Sequence, residues 1–299
     1  MENVIAFIGF GEAAYNISKG LKEEGLKCIG AYDVKTNDPD TGHLIRERAV
    51  ETGVTLYDSL EKACRSAKLI ASLTSAGVAV KVAKSVLPYL EAGQTFIDMN
   101  SAAPDVKEEI EEINRKDGVL VCDAAVMGTV PQNRHKVKMF LSGSGSRVFH
   151  DAMMGYGMNL EVLDVPMGGA SAIKMFKSIV MKGLPQLMFE SMTCAHKYGV
   201  LDSLVKSLND SLHGKTIEQL SDTFFARTII HAKRRAVEME NVIATVESIG
   251  MDASMAAVTK MKLENLEKSG LKDLIGTRTD MDYKSVLELV NRKEMKDEQ

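Results

Sequence analysis

The sequence predicts an α/β protein in two parts, a doubly wound parallel sheet followed by an all-α half. Three observations carry that expectation. Short Val/Ile/Leu-rich runs alternate with amphipathic segments through the first half, a glycine-rich loop follows the first run, and the strand pattern stops at Gly168.

Val4–Ile8, Lys27–Tyr32, Leu69–Leu73, Thr95–Met99 and Val119–Cys122 read as strands buried on both faces. Ala13–Glu24, Gly77–Leu90 and Pro104–Lys116 read as the helices between them, the last with Pro104 at its entry. Strands alternating with helices imply parallel pairing through crossovers. Val137–Ser142 and Glu161–Leu163 add strands that close the domain. Beyond it, Ala170–Tyr198 reads as a long helix that Gly183-Leu184-Pro185 would kink. Asp202–Leu212, Ile217–Ile249, Ala253–Lys268 and Met281–Lys293 carry helical periodicity. The expected domains are residues 1–165 and 166–299, joined by that helix. Phe224, Phe225, Ile229 and Ile230 are expected in the helical core, and the charge runs Lys107–Lys116 and Asn291–Gln299 on solvated faces.

Composition narrows the function. With 45% hydrophobic and 26% charged residues in 299, the chain is not disordered, collagen-like or a disulfide mini-protein. A net charge of −4 offers no basic field for nucleic acid or anionic lipid, so small molecules or a second copy are the expected partners. Cys28, Cys64, Cys122 and Cys194 are scattered, and neither they nor the histidines show metal-ligand spacing. No apolar run reaches the roughly 18 residues of a membrane span, and the N-terminus reads as no targeting segment, so a cytoplasmic location is expected. The chain has 18 Met and no Trp; many methionines fall between Met153 and Met192, where adaptable filler would suit a domain seam and a dimer core.

The first strand runs into Gly9-Phe10-Gly11-Glu12-Ala13-Ala14, a G-x-G-x-x-A loop opening a helix. Gly9 permits a tight turn, Gly11 lets a pyrophosphate approach the backbone, and Ala14 lets helix and strand pack closely. Asp33 follows the second strand, where a carboxylate would meet the adenosine ribose hydroxyls. No arginine follows it at once, which favours NAD, with NADP as the alternative. Thr74, Ser75 and Asn100 follow later strands and would line the cofactor; Asp123-Ala-Ala-Val-Met-Gly-Thr129 is expected as another such loop.

Four blocks in order resemble the β-hydroxyacid dehydrogenase superfamily, the relatives of 6-phosphogluconate and 3-hydroxyisobutyrate dehydrogenases. They are the Gly9 loop, Asp98-Met-Asn-Ser-Ala-Ala-Pro104, the Asp123–Thr129 segment and Gly168-Gly-Ala-Ser-Ala-Ile-Lys174. The resemblance implies a Rossmann domain and makes Lys174 the catalytic lysine near the start of the interdomain helix. Desolvation there would bring its pKa toward neutrality, so that it could exchange a proton with a substrate hydroxyl. The family's Asn one turn later is Ser178 here, and its substrate-binding Ser-Gly-Gly is Met127-Gly128-Thr129. The second half resembles a subgroup whose all-α domain carries the stretch His231–Met239. His231 and Arg235, at helical spacing with Glu238, are the candidates to meet a carboxylate; an ordinary solvated face with an Arg234–Glu238 pair is the alternative.

The combined expectation is an NAD(P)-dependent oxidoreductase acting on a small β-hydroxy acid or the matching oxo acid. It would be a homodimer, because the all-α half has more helix faces than one chain can cover. An imine reductase, a non-catalytic dinucleotide sensor and a methyltransferase are the rivals, the last having no use for Lys174.

Overall fold

The computed structural model describes residues 3–297, with side chains to residue 293, so the tail of the Asn291–Gln299 run lies outside the described residues. The chain divides into two compact units, Met1–Ile179 and Val180–Gln299.

The first unit is an eight-stranded sheet in the order β3-β2-β1-β4-β5-β6-β7-β8. Its strands are β1 (Asn3–Ile8), β2 (Ile29–Tyr32), β3 (Thr55–Leu56), β4 (Ala67–Ser72), β5 (Thr95–Asp98), β6 (Leu120–Val126), β7 (Met139–Ser142) and β8 (Leu160–Val162). All neighbours run parallel except β6 and β7. The strand order reverses between β1 and β4, where open α/β sheets hold ligands at their carboxyl ends. Alternation within each strand supplies both faces: Ile5 and Phe7 join one core cluster, Ala6 and Ile8 the other.

The connecting helices are α1 (Glu12–Glu23), α2 (Gly42–Thr52), α3 (Leu60–Ser66), α4 (Ala79–Val86), α5 (Pro104–Glu112), the single turn α6 (Val130–Asn133) and α7 (Ser146–Met154). Periodicity did not disclose α2, β3, α3 or α7. Gly42–Thr52 buries a helical stripe of Gly42, Ile45, Ala49 and Thr52, of which only Ile45 is a large apolar residue, and Leu60–Ser66 is announced chiefly by Ser59, whose Oγ accepts the Lys62 amide at 3.3 Å. Two expectations for the first unit need correction. Asp123 to Val126 is strand rather than loop, because antiparallel pairing with β7 extends β6 that far. Lys107 is fully buried instead of lying on a solvated face, and its helix ends at Glu112.

Helix α8 (Gly169–Tyr198) runs through Pro185 as a single 30-residue element, about 45 Å long. The second unit adds α9 (Leu201–Leu212), α10 (Ile217–Ile230), α11 (Ala232–Ser248), α12 (Ser254–Lys268), α13 (Leu271–Ile275) and α14 (Tyr283–Asp297). The expected continuous helix over Ile217–Ile249 is broken at His231, whose φ of −105° and ψ of 15° leave the helical region. A Thr216–Gln219 capping box starts α10; Glu190 caps α12 through the Met255 and Ala256 amides. Ile229 is buried, while Phe224 is 44% exposed against the core placement expected for it. Met153, Met158 and Met167 fill the first unit's core, whereas Met181 and Met188 are exposed on α8. Among the described residues no helix is long and apolar enough to cross a membrane.

Candidate active site

Gly9 turns with φ +91°, and a Cβ there would sit 2.4 Å from the Leu73 carbonyl oxygen, so both conformation and the neighbouring β4 loop require glycine. The Gly9 amide donates to the Tyr32 carbonyl (2.8 Å), and the Phe10 amide donates to Asp33 Oδ2 (2.7 Å). Phe10 anchors the loop with a fully buried ring, and Ala14 is buried beneath it. Gly11 is the N-cap of α1 and supplies no side chain to the first amides of the helix; a Cβ on it would project into open space. Uncapped amides at a helix N-terminus beside open space fit a pyrophosphate. Glu12 is exposed and Ala13 half-buried beside them. Asp33 Oδ1 accepts the Lys35 amide at 2.8 Å, so this carboxylate shapes its own loop and the glycine turn together.

Thr74 and Ser75 are exposed at the end of β4. Asn100 is buried: its Oδ1 accepts the Thr74 amide (2.6 Å), and its Nδ2 donates to Ser72 Oγ (2.9 Å) and to Asp98. It braces the rim that carries Thr74 and Ser75.

The registers place Ser72 opposite Asp98, Asp98 opposite Asp123, and Asp123 opposite Ser142, a polar row across four strands. All four are fully buried. Lys107 reaches this row from α5, with Nζ 2.6 Å from Asp98 Oδ2 and 3.1 Å from Asp123 Oδ1. Its Nζ also donates to the Asp98 and Asn100 carbonyls, at 3.1 and 3.0 Å. Asp123 in turn accepts the Ser171 amide and hydroxyl, both at 2.8 Å, and Ser142 Oγ accepts the Ala170 amide at 3.1 Å. Two strands therefore cap the first turn of α8.

Lys174 sits one turn farther along, half-buried. Burial pushes its amine below the ordinary lysine value, the Lys107 charge adds to that, and Asp123 opposes both. Ser178 Oγ donates to the Lys174 carbonyl at 2.9 Å. At the end of β6, Met127 is half-buried with its amide bonded to the Lys138 carbonyl (2.8 Å); Gly128 and Thr129 are exposed. His231 and Arg235 belong to the second unit, where the Arg235 amide donates to the His231 carbonyl (3.0 Å) and its guanidinium to Thr228 Oγ1 (2.8 Å). His231 stands at the break between helices as the N-cap of α11, and its carbonyl accepts the first helical bond of that helix from Arg235. Arg234 pairs with Glu238 as expected.

The family model described as the NAD binding domain of 6-phosphogluconate dehydrogenase matches residues 4–154, half of the chain. The chain belongs to that family. In this member of the 6-phosphogluconate dehydrogenase family, the first unit is the NAD-binding domain, and the Gly9 loop stands at its first strand–helix junction. A second model, a domain of unknown function (DUF1932), matches residues 195–266. A conserved hypothetical protein from Sinorhizobium meliloti 1021 is 31% identical, with a TM-score of 0.65, covering 98% of this chain and 97% of that one. Conserved protein MTH1747, described as structurally similar to 3-hydroxyacid dehydrogenases, is 26% identical over 88% of this chain and 96% of its own, with a TM-score of 0.61. An imine reductase from Aspergillus terreus shares the fold at 16% identity and a TM-score of 0.73, covering 96% of this chain and 99% of that one.

Proposed function

We propose that the protein is an NAD(P)-dependent oxidoreductase that interconverts a small β-hydroxy acid and its oxo acid, with Lys174 as general acid/base. The carrying observation is a half-buried lysine, its pKa lowered by burial, on a helix capped by the same sheet whose carboxyl edge bears the dinucleotide loop. A lysine so placed can hold its amine neutral to accept a hydroxyl proton and return it to an oxo group.

The backbone of Gly9, Phe10, Gly11, Glu12 and Ala13 would hold the pyrophosphate, Asp33 the adenosine ribose, and Thr74 and Ser75, braced by Asn100, the nearby rim. Bound there, the nicotinamide coenzyme supplies hydride transfer, and the chain supplies positioning and the proton. Each Asp33 oxygen keeps a lone pair after its backbone bond, which favours a free ribose hydroxyl over a phosphate at that place and NAD over NADP. Ser178 would fix the turn that carries Lys174. Met127, Gly128 and Thr129 would border the substrate. The four free thiols suit a reducing compartment, and we place the protein in the cytoplasm.

A homodimer completes the proposal. Phe176, Val180, Leu184 and Leu187 follow one another at helical spacing along α8 and are between 43% and 66% exposed. A stripe of that kind on a soluble chain calls for cover, and a second α8 has the matching character.

The test is a nicotinamide absorbance screen of β-hydroxy acids, sugar acids and imines with both coenzymes. Turnover of a β-hydroxy acid is the expected result. Turnover confined to imines would move the reaction to C=N reduction, and silence across the panel with NAD binding intact would favour a sensor.

A further inference from the structure

Buried charges are costly, and a sheet interior filled with Ile, Phe and Val has no folding need for three of them. Replacing a buried ion pair by apolar residues is often neutral or stabilising. The Asp98–Lys107–Asp123 chain nevertheless sits fully buried in the polar row and leads to the helix that bears Lys174. We propose that this chain is the positioning device for Lys174: Asp123 clamps the first turn of α8, and Lys107 orients Asp123 while placing a second ammonium within electrostatic reach of Lys174.

The clamp is specific in its atoms. Asp123 Oδ2 takes the Ser171 amide and Oδ1 takes the Ser171 hydroxyl, so the carboxylate plane is fixed by the helix. Lys107 approaches Oδ1 from α5 and is itself held by Asp98 and two carbonyls, so it cannot swing away. Gly168, just ahead of the helix, has φ +98°, and a Cβ on it would lie 3.0 Å from the Pro104 carbonyl oxygen. The entries to α5 and α8 thus touch, which brings Lys107 and Ser171 to one carboxylate. Lys174 lies three residues beyond Ser171 and inherits its place from this contact.

Among the described residues, the charges that act on Lys174 are Lys107 on α5 and Asp123 on β6, in opposite senses; Lys177 on its own helix is exposed. Moving either buried charge should therefore retune the amine, and in opposite directions. The proposal rests on reading Lys174 as the proton-exchanging group, but its test needs no turnover.

The full-length protein is labelled at lysine Cε, and the Lys174 signal, assigned by its loss in Lys174→Arg, is titrated by NMR. The wild-type amine is expected to titrate below the ordinary value of about 10.4. Asp123→Asn should lower its midpoint further, by about one pH unit, and the charge-balanced pair Lys107→Met with Asp98→Asn should raise it by about as much. Ser171→Ala, a gentle change, removes the hydroxyl donor from Asp123, leaves its negative charge less compensated, and should raise the midpoint by a smaller step. A wild-type Lys174 at about 10.4 overturns the proposal whatever the variants do. Folded charge variants that leave the midpoint in place or move it the same way also overturn it, and if they fail to fold, an unmoved midpoint in Ser171→Ala does so. A tuned Lys174 in a protein without oxidoreductase activity would sink the functional reading alone; full turnover loss in Lys174→Ala with an untuned amine would sink this one alone.

Discussion

The two units bury their apolar residues very differently. In the first, Phe7, Phe10, Phe96 and Phe149 are fully enclosed between sheet and helices, and two broad clusters cover both faces. In the second, the buried clusters are small, Ala226, Ile229, Leu271, Ile275 and Val286 in one and Val246, Ala253 and Ala256 in the other. Phe189 and Ile217 there remain 72% and 70% exposed. The first unit is a finished core that spends its remaining polarity on a site. The second leaves large apolar side chains on its surface. The difference teaches that a sheet covered on both faces by its own helices closes its core within one unit, whereas helices packed around small clusters leave apolar side chains at the surface, which the proposed homodimer would cover.

The largest test of that contrast strikes the finished core. Lys107→Ala leaves Asp98 and Asp123 buried without their ammonium and should cost about 3–5 kcal/mol in urea unfolding of the first unit. A loss within about 0.5 kcal/mol, the range of a surface change, would show that the buried chain is not integral. Next comes the uncovered half. Sedimentation should give twice the chain's 32.7 kDa, and Leu184→Asp with Leu187→Asp, two substitutions on the exposed stripe, should return the mass to 32.7 kDa with helicity retained. A wild-type monomer would remove the partner argument and leave the apolar stripe unexplained.

A smaller effect is expected at the coenzyme rim. Asp33→Ala should raise the affinity for NADP relative to NAD by about tenfold, read by calorimetric titration. An unchanged preference would reduce Asp33 to a loop brace for the Phe10 amide. The smallest effect is a pH dependence. His135 is buried, its ring nitrogens have no hydrogen-bond partner among the described residues, and burial lowers its pKa despite Glu24 at 3.6 Å. The unfolded chain then takes the proton first, so stability is full above about pH 6.5 and falls as the pH drops through that value toward the folded pKa. His135→Gln should flatten that decline in melting temperature between about pH 7.5 and about pH 5. Equal slopes in variant and wild type would assign the decline to other groups.

What could be read in the sequence follows the reach of each interaction. The Gly9 loop, the place of Asp33 after the second strand and the alternation of strands with helices were legible because turns, short loops and short apolar runs are local rules. The Asp98–Lys107–Asp123 chain was not, because Lys107 lies in a run of Glu and Lys that reads as a solvated face, and its partners come from two other elements. Asp123 itself stood in view, but a strand end and a loop start look alike until β7 pairs with it. The break at His231 has no Gly or Pro to announce it, so Ile217–Ile249 read as continuous. The methionines divided: Met153, Met158 and Met167 are core filler, while Met181 and Met188 lie on the exposed side of α8.

The central claim is that Lys174 exchanges the proton at a coenzyme site built by the first unit. Its most direct measurement is Lys174→Ala, assayed with a substrate found in the absorbance screen and titrated in parallel with NAD. Turnover should fall by about 10²- to 10⁴-fold while NAD affinity stays within about twofold. Undiminished turnover with the same substrate would contradict the account.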